Sequence, residues 1–327
     1  DTAAALAALG RAARDRLDGA TVIGITGSVG KTTTKDLLAS VLAVERRTHA
    51  NVRSFNNEIG VPLTLLGAPD DAEAVVLEMG ARGLGHIAEL CAIARPTVGV
   101  VTTVGVAHTS EFGTVEAVAE TKGELIASLP PDGLAVLNAD VAPVAAMAAR
   151  TDATVVTFGD HGEVRAEELS LDDDLTPRFR LVAPSGTAEV VLGARGVHLV
   201  DNALAAAAVG LHLGMAPEAV AAGLAVPVLS PMRMALERTP SGARVLNDAY
   251  NANPMSTSAA LRSLVHLPAD RRTAVLGLMA ELGDVSAAEH LATAALAASL
   301  GVRVIAVDAP DYGPEVEHVD GIDAALE

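Results

Sequence analysis

The chain has 327 residues, of which half are apolar and very few aromatic, with no Trp and a single Cys. This length favours two domains, and one cysteine excludes a disulfide framework or a cysteine-rich zinc ribbon. The net charge of −18 argues against nucleic acid or an anionic membrane as a partner. No apolar run is long enough to span a membrane, and no basic segment precedes a hydrophobic one, so we expect a cytoplasmic protein without membrane insertion.

In the first part of the chain, short apolar runs alternate with Ala-rich helical stretches. The sequence predicts strands at 22–26, 74–78, 98–102, 134–138 and 154–158. It predicts helices between them at 33–44, 85–94, 115–129 and 141–149. Continuous apolar strands separated by helices indicate a parallel sheet that is covered on both faces. Ligands of such sheets bind at the carboxyl ends of the strands.

The pattern then changes to alternating polar and apolar residues over 163–192, which predicts an antiparallel insert at the sheet edge. Helices are predicted at 201–213 and 217–224, and two prolines within 226–231 indicate a hinge. A second series follows, with strands at 243–248, 273–277 and 302–307 and helices at 256–265 and 287–300. We therefore predict a linker helix at 1–20, a central domain at 21–234 and a smaller, incomplete α/β domain at 235–327.

A glycine-rich run follows the first predicted strand and has the composition of a phosphate-binding loop: Gly27, Ser28, Val29, Gly30, Lys31, Thr32 and Thr33. In such a loop the backbone N–H groups face the anion, Lys31 reaches the outer phosphates and the Thr32 hydroxyl can ligate Mg²⁺. The strict motif has a glycine where this chain has Ile25, so a glycine-rich turn with a chance Gly-Lys-Thr is the alternative. The chain has three lysines against twenty arginines, and a second lysine, Lys35, is predicted to lie on the helix surface.

Three further ionisable residues are candidates for chemistry. Glu78 ends a predicted strand beside the loop, where a carboxylate suits Mg²⁺, although a solvated glutamate is the alternative. His108 follows the strand at 98–102, and Lys122 lies fourteen residues further on; each could also be structural or exposed. Arginine supplies nearly all cationic side chains here. We therefore interpret Lys122 as a reactive amine, since an amine can lose its proton and guanidinium cannot.

Candidate ligand contacts made by polar side chains lie in three segments. The paired asparagines before Gly60 either form a turn or present their amides to a phosphate or sugar. The motif at 248–254 is predicted to end the first strand of the C-terminal domain, which is a ligand-facing location. An arginine beside the hinge suits phosphate because guanidinium is planar. A turn or surface role is the alternative for each of these residues: Asn56, Asn57, Arg233, Asp248, Tyr250 and Asn251.

Together these motifs resemble, in order, the Mur ligases, the ATP-dependent amide ligases of peptidoglycan precursor synthesis. The matching segments are 24–33, 56–60, 78–80, His108 with Lys122, 137–140, His198 with 202–206, and 248–254. The resemblance covers nearly the whole chain, and the family's phosphate loop also lacks the first glycine of the strict motif. The implied fold is α/β, with a central parallel-sheet P-loop ATPase domain carrying an antiparallel edge insert, followed by a smaller Rossmann-like domain.

The resemblance also implies ATP and Mg²⁺ at two sites. It implies that the metal ligands are Thr32, Glu78, His108 and Lys122, the last as a carbamate, and that the catalytic residues are Lys31, Glu78, His108 and Lys122. Asn202 matches an adenine contact, Asp248 a ribose contact and Arg233 a nucleotide contact from the closing domain. The resemblance implies substrate contacts by Asn56, Asn57, Tyr250 and Asn251.

The motif forms at 55–62, 248–254 and 279–283 narrow the implied substrates to UDP-N-acetylmuramoyl tripeptide (UDP-MurNAc-tripeptide) and D-alanyl-D-alanine (D-Ala-D-Ala). The two would be joined through an acyl phosphate. We expect a monomer. The family's uridine-binding domain would precede Asp1 and the end of its last domain would follow Glu327, so we interpret the chain as part of a longer ligase.

Two substitutions depart from the family pattern: Leu199 stands where a polar residue is usual, and Leu278 stands where Asp is common. Two alternatives stay open. One is another Mur or folylpolyglutamate-type ligase. The other is an ATP-binding scaffold that does not catalyse, and these two residues are its sequence support.

Overall fold

A computed structural model describes residues 1–105 and 114–325. Its centre is a six-stranded parallel sheet with the strand order β2-β3-β1-β4-β5-β6. The strands are β1 Thr21–Thr26, β2 Thr48–Ala50, β3 Ala74–Glu78, β4 Val98–Val101, β5 Leu134–Asn138 and β6 Thr154–Phe158. The five predicted strands are confirmed. The sequence did not indicate β2 because its three residues contain no apolar run.

Helices cover both faces of this sheet. In chain order they are α1 Thr2–Arg16, α2 Lys31–Leu42, α3 Gly60–Gly67, α4 His86–Ala94, α5 Val115–Ala127, α6 Ala142–Ala145, α7 Val200–His212 and α8 Pro217–Ala225. Neighbouring strand residues point to opposite faces. Val22 therefore belongs to an apolar cluster that includes residues of α1, α3 and α4, whereas Ile23 belongs to another that includes residues of α2 and α7. Both faces are apolar, which is why the strands are continuous hydrophobic runs.

The predicted edge insert is a three-stranded antiparallel sheet. Its strands are β7 Arg165–Leu171, β8 Pro177–Ala183 and β9 Gly186–Val191. The alternating sequence follows from its environment. Phe179 and Leu181 are buried in the main core, whereas the alternate residues Arg178 and Arg180 are exposed and half-buried. The prediction of an antiparallel excursion is confirmed.

The C-terminal part contains two small sheets. A hairpin of β10 Ala235–Arg238 and β11 Arg244–Asn247 is antiparallel, and it is followed by helix α9 Pro254–His266. The parallel sheet comprises β12 Thr273–Leu276, β13 Arg303–Val307 and β14 Glu317–Val319, with helices α10 Ser286–Ser299 and α11 Gly321–Ala324. The strand predicted at 243–248 is present as β11, but it does not join the parallel sheet of this part. It pairs with β10, whose short sequence was not recognised as a strand.

The environments of two single residues, Cys91 and Lys35, can also be compared with their predictions. Cys91 is buried in α4, as expected for a small apolar residue in a helix. Lys35 is buried rather than exposed, so the prediction of a surface lysine is wrong. Loops from two distant parts of the chain cover its side of α2. Within the described residues, no helix is both long and apolar enough to cross a membrane.

Candidate active site

The phosphate loop connects β1 to α2 through two glycines in the left-handed region. Gly27 has a φ of +149° and Gly30 a φ of +85°. A Cβ at Gly27 would collide with Thr102, and one at Gly30 with the side-chain amide of Asn202. The loop is also held from outside, because the Thr102 hydroxyl donates to the Val29 carbonyl at 2.6 Å. Backbone conformation and close packing therefore both require glycine at these two positions.

Lys31 begins α2 and folds back over the loop. Its Nζ donates to the carbonyl oxygens of Gly27 at 2.7 Å and Ser28 at 3.4 Å. Its surroundings lower the pKa of Lys31, chiefly through desolvation, although part of the side chain still faces the cavity. A phosphate in the loop offers this ammonium a charged acceptor in place of two neutral carbonyls.

Thr32 and Glu78 meet where the loop adjoins β3. The Thr32 hydroxyl donates to Glu78 Oε2 at 2.8 Å, and Asn56 Nδ2 donates to Glu78 Oε1 at 2.7 Å. Glu78 is 1% exposed, so it is not a solvated glutamate. It pairs with Ile25 in the parallel register, which places its carboxylate beside the carboxyl end of β1.

The oxygen atoms around Thr32 form a donor set for a hard cation. Ser54 Oγ lies 3.1 Å from Thr32 Oγ1, which adds a second hydroxyl to the carboxylate of Glu78. Mg²⁺ is typically bound by one or two carboxylates together with phosphates and water rather than by a complete protein cage. Residues 1–105 and 114–325 contain no cluster of three or more His, Cys, Asp or Glu side chains that could hold a metal.

Arg233 reaches the same hydroxyl from the segment that connects α8 to β10. Its Nη2 donates to Thr32 Oγ1 at 3.2 Å, and its guanidinium carbon lies 4.2 Å from the centre of the Tyr250 ring. Both neighbours of Arg233, Met232 and Met234, have left-handed φ values of +56° and +51°. Such a conformation is uncommon for residues with side chains and typical of functional segments.

Asp248 holds the segment that carries Arg233. Its Oδ1 accepts a hydrogen bond from the backbone N–H of Met234 at 3.0 Å. Burial raises the pKa of Asp248 to about 6, against the opposing effects of this hydrogen bond and of Arg233. Asp248 directly follows β11 and lines the cavity described below.

Helix α7 forms another part of the surroundings of the phosphate loop. Asn202 Nδ2 donates to the Gly30 carbonyl at 3.2 Å and to Thr34 Oγ1 at 2.9 Å. Burial lowers the pKa of His198 to about 4 and, together with nearby Asp140 and Asp160, raises that of Asp201 to about 6. His198, in the short turn 197–199 before α7, and Asp201 on α7 both line the cavity, and the His198 imidazole is neutral at neutral pH.

A cavity of about 390 Å³ lies between these groups. From the central part its wall includes residues 28–33, Asn56, Glu78 and Asn202, and from the C-terminal part Arg233, Asp248, Tyr250 and Asn251. Two buried polar atoms in this wall, Thr103 Oγ1 and Arg233 Nε, have no hydrogen-bond partner among the described residues. Buried polar groups are normally paired, so these atoms indicate a place for a polar ligand.

Four predicted site residues are not part of that wall as described. Gly27, the first residue of the loop, does not line the cavity. Asn57 accepts hydrogen bonds from the N–H groups of Ile59 and Gly60, which is the turn role. Lys122 is buried on α5, 2% exposed. His108 lies outside the described residues.

Several residues around the site were not singled out from the sequence. Asn51 Oδ1 accepts from the backbone N–H of Glu78 at 2.9 Å, and Ser54 and Thr103 are described above. Asn51 directly follows β2, which the sequence did not indicate, so the rule that ligand-facing residues follow strands could not identify it. The same rule points to Thr103, which directly follows the strand predicted at 98–102. Ser54 carries no comparable signal.

Two family models match the chain. The Mur ligase middle domain matches residues 25–210, and the domain described as Mur ligase, glutamate ligase domain, matches residues 232–327. Among curated relatives, the UDP-N-acetylmuramoyl-tripeptide–D-alanyl-D-alanine ligase of Mycobacterium bovis is 49% identical over 314 residues. This match covers 93% of the chain and 62% of the relative, so the chain spans less than two thirds of that protein's length.

Solved structures agree. MurF from Acinetobacter baumannii superposes with a TM-score of 0.93 at 32% identity, covering 100% of this chain and 73% of its own. The MurF ligase of Thermotoga maritima, solved in complex with ADP, gives 0.88 at 29% identity, covering 98% and 76%. Both parts of the chain therefore have the fold and motif order of one enzyme family. The chain belongs to the Mur ligase family.

Proposed function

We propose that this chain forms the ATP-binding and C-terminal parts of an amide ligase of peptidoglycan precursor synthesis. The observation that carries the proposal is the convergence on Thr32, where the phosphate loop, Glu78 and Arg233 meet from three segments. The relatives that match it are named for the ligation of D-Ala-D-Ala to UDP-MurNAc-tripeptide, and we propose the same substrates here.

The cavity suits ATP. The loop amides and Lys31 would bind the phosphates, and Asn202, Asp248 and Arg233 would contact the nucleotide from opposite walls. The unpaired Arg233 Nε and Thr103 Oγ1 are consistent with a ligand that supplies acceptors and donors there. Asn56, Tyr250 and Asn251 line the same space and are proposed as substrate contacts, as is Asn57 from the adjoining turn.

Mg²⁺ fits the oxygen donors at Thr32 and Glu78 and would neutralise phosphate charge when bound. We propose a second Mg²⁺ held by His108 and by Lys122 as a carbamate. Carbamylation of the Lys122 amine by CO₂ would convert a cation into an anionic oxygen ligand, which a buried arginine could not become.

In the proposed reaction the tripeptide carboxylate attacks the γ-phosphorus of ATP, giving an acyl phosphate and releasing ADP. The amine of D-Ala-D-Ala then attacks the acyl carbon, phosphate leaves and the amine loses a proton. The chain's residues contribute by position and charge, since phosphoryl transfer depends chiefly on both. Lys31 and Arg233 would face the transferred phosphoryl group from the two sides of the cleft, and hinge closure would exclude water.

We further propose the division into a linker helix at 1–20, a central domain at 21–234 and a C-terminal domain at 235–327. A cytoplasmic location would follow from nucleotide-linked substrates, and a monomer would suffice because the described cavity is formed by one chain.

The test is phosphate release by the natural full-length protein given ATP, UDP-MurNAc-tripeptide and D-Ala-D-Ala. Release that requires all three supports the ligase. Release with a different amino acid or with folate substrates would point to another ligase of the superfamily. Tight ATP binding without turnover would point to a scaffold.

A further inference from the structure

Beneath the phosphate loop lies a buried ion pair that the proposed chemistry does not use. Lys35 Nζ is 2.8 Å from Asp36 Oδ1, and the two side chains are only 4% and 7% exposed. Adjacent residues of a helix do not normally face each other. A pair withdrawn from water is stable only when its other polar atoms are also hydrogen-bonded. The partners of this pair are therefore informative.

Lys35 holds the segment 51–56. Its ammonium donates to the carbonyl oxygens of Asn51 at 2.9 Å and Arg53 at 3.1 Å, which with Asp36 accounts for all three of its protons. Arg53 has a left-handed φ of +52°, and Asn51 Nδ2 donates to the same Arg53 carbonyl at 3.2 Å. The turn is thus held in an uncommon conformation just before Ser54 and Asn56, the residues that contact Thr32 and Glu78.

Asp36 holds the hinge. Its Oδ2 accepts from the backbone N–H of Ser230 at 2.7 Å, and one turn further along α2 Ser40 Oγ accepts from the N–H of Val228 at 3.0 Å. Three residues after Ser230 the chain reaches Arg233, which returns to Thr32. The hinge segment is therefore attached to the same helix that carries the phosphate loop.

We propose that Lys35 and Asp36 act together as positioning residues that couple the segment 51–56 to the hinge segment 226–233. Each of the two side chains binds the backbone of one segment, and the two side chains bind each other. Both segments contribute side chains that contact Thr32, which lies less than two helical turns away on α2. Neither is among the described residues that line the cavity, so they act through Glu78 and Arg233 and not on a ligand. That the coupling serves ATP chemistry rests on the proposed function, whereas the coupling itself does not.

The test is hydrogen–deuterium exchange of the natural full-length protein, read by mass spectrometry on peptides covering 51–57 and 226–234. Asp36→Asn should speed exchange at 226–234, and Lys35→Met at 51–57, each by about tenfold or more. Because the charges depend on each other, each variant should also speed exchange in the other segment. In the double variant Lys35→Met/Asp36→Asn, the effect on exchange in each peptide should be smaller than the sum of the effects of the two single variants. Effects confined to the variant's own segment would overturn the proposal.

Arg14→Met is a matched control. Arg14 is likewise a cation that donates to two backbone carbonyls, those of Ala94 at 2.9 Å and Leu17 at 3.1 Å. It should leave both peptides unchanged. Peptides from β7–β9 report on global unfolding. If Lys35→Met also speeds exchange in the β7–β9 peptides, Lys35→Arg and Ser40→Ala are used instead. Lys35→Arg should keep the protection at 51–57. Ser40→Ala should speed exchange at 226–234 more than at 51–57.

A second readout separates positioning from mere stability. In steady-state assays Lys35→Met should lower kcat by about 10–100-fold, as loss of a supporting residue around a ligand site does, with KM for ATP changed much less. A rise in KM for ATP as large as the fall in kcat would contradict a positioning role. If the parent protein shows no ligase turnover, the proposed function fails, but the exchange measurements still decide the coupling.

Discussion

The Thr32 hydroxyl donates a 2.8 Å hydrogen bond to Glu78 and so joins the phosphate loop to the end of the neighbouring strand. This contact places a carboxylate in the wall of the cavity without exposing it to bulk solvent. Any cation bound by Thr32 would therefore share the Glu78 oxygen.

Glu78→Gln tests that role, because it keeps the shape and one acceptor but removes the charge. We expect turnover to fall by about 100-fold and more Mg²⁺ to be needed for nucleotide binding. Calorimetric titration of ADP at several Mg²⁺ concentrations measures this. Glu73→Gln, at the other end of the strand and exposed, is the control. An unchanged Mg²⁺ requirement in Glu78→Gln would remove Glu78 from the metal site.

Arg233→Lys tests the contact between Arg233 and Thr32. Lysine keeps the charge but loses the planar group that stacks on Tyr250 and reaches Thr32. We expect ADP to bind about tenfold more weakly, which corresponds to about 1.4 kcal/mol. Tyr250→Phe keeps the ring and should bind ADP normally, and Arg262→Lys on the exposed face of α9 is the control. Equal affinity in Arg233→Lys and the parent would contradict the assignment.

Lys122→Ala tests the proposed carbamate. Phosphate release should be lost and should return in part when short carboxylic acids are added, because these can supply the missing oxygens. Lys122→Arg should be inactive without rescue, since guanidinium cannot be carbamylated and fills the space. Glu120→Ala, exposed on the same helix, controls for the stability of α5. Full activity of Lys122→Ala in the absence of added acid would contradict the proposed carbamylation of Lys122.

Asp248→Asn should stabilise the protein at neutral pH. The pKa of Asp248 is raised from 3.8 to about 6, so folding disfavours its ionised form. The resulting penalty is absent below about pH 4, grows between about pH 4 and 6 and is complete above that range. Urea unfolding should show no gain at pH 4 and a gain of about 1–3 kcal/mol at pH 7.5. The control Asp270→Asn, at an exposed position, should not change the free energy of unfolding at either pH. A gain for Asp248→Asn that does not depend on pH would contradict the burial argument.

Gly30→Ala should damage both stability and nucleotide binding. The φ of +85° alone costs an alanine on the order of 1–2 kcal/mol, and its Cβ would push against Asn202. Thermal unfolding and ADP titration measure the two effects. Gly83→Ala is the matched control, because nothing lies within 4 Å of a Cβ there. Normal ADP binding by Gly30→Ala would mean that the loop adapts.

Much of the central fold could be predicted because its signals are local. Each long strand is a continuous apolar run, since helices cover both faces of the sheet, and the turn glycines mark the phosphate loop. Short strands such as Thr48–Ala50 and Ala235–Arg238 escaped prediction. They contain few apolar residues, and their pairing partners supply most of their order.

The paired asparagines show where local signals end. Both were candidates for a turn or for ligand contact, and the structure separates them. Asn57 starts α3 by accepting from Ile59 and Gly60, whereas Asn56 points to Glu78, a residue 22 positions away. Nothing in the spacing distinguishes two adjacent amides, because the decision lies with the distant strand.

The sequence by itself determined the α/β class, the phosphate loop, the antiparallel insert and the family, because each depends on short-range pattern or motif order. Only the tertiary structure decided the surroundings of α2. Its polar start, from Lys31 to Asp36, looks exposed in sequence, yet Lys35 and Asp36 are buried. Their partners at Asn51 and Ser230 lie 16 and 194 residues away. A polar residue can be buried only where such partners meet it, and that meeting is a property of the folded chain.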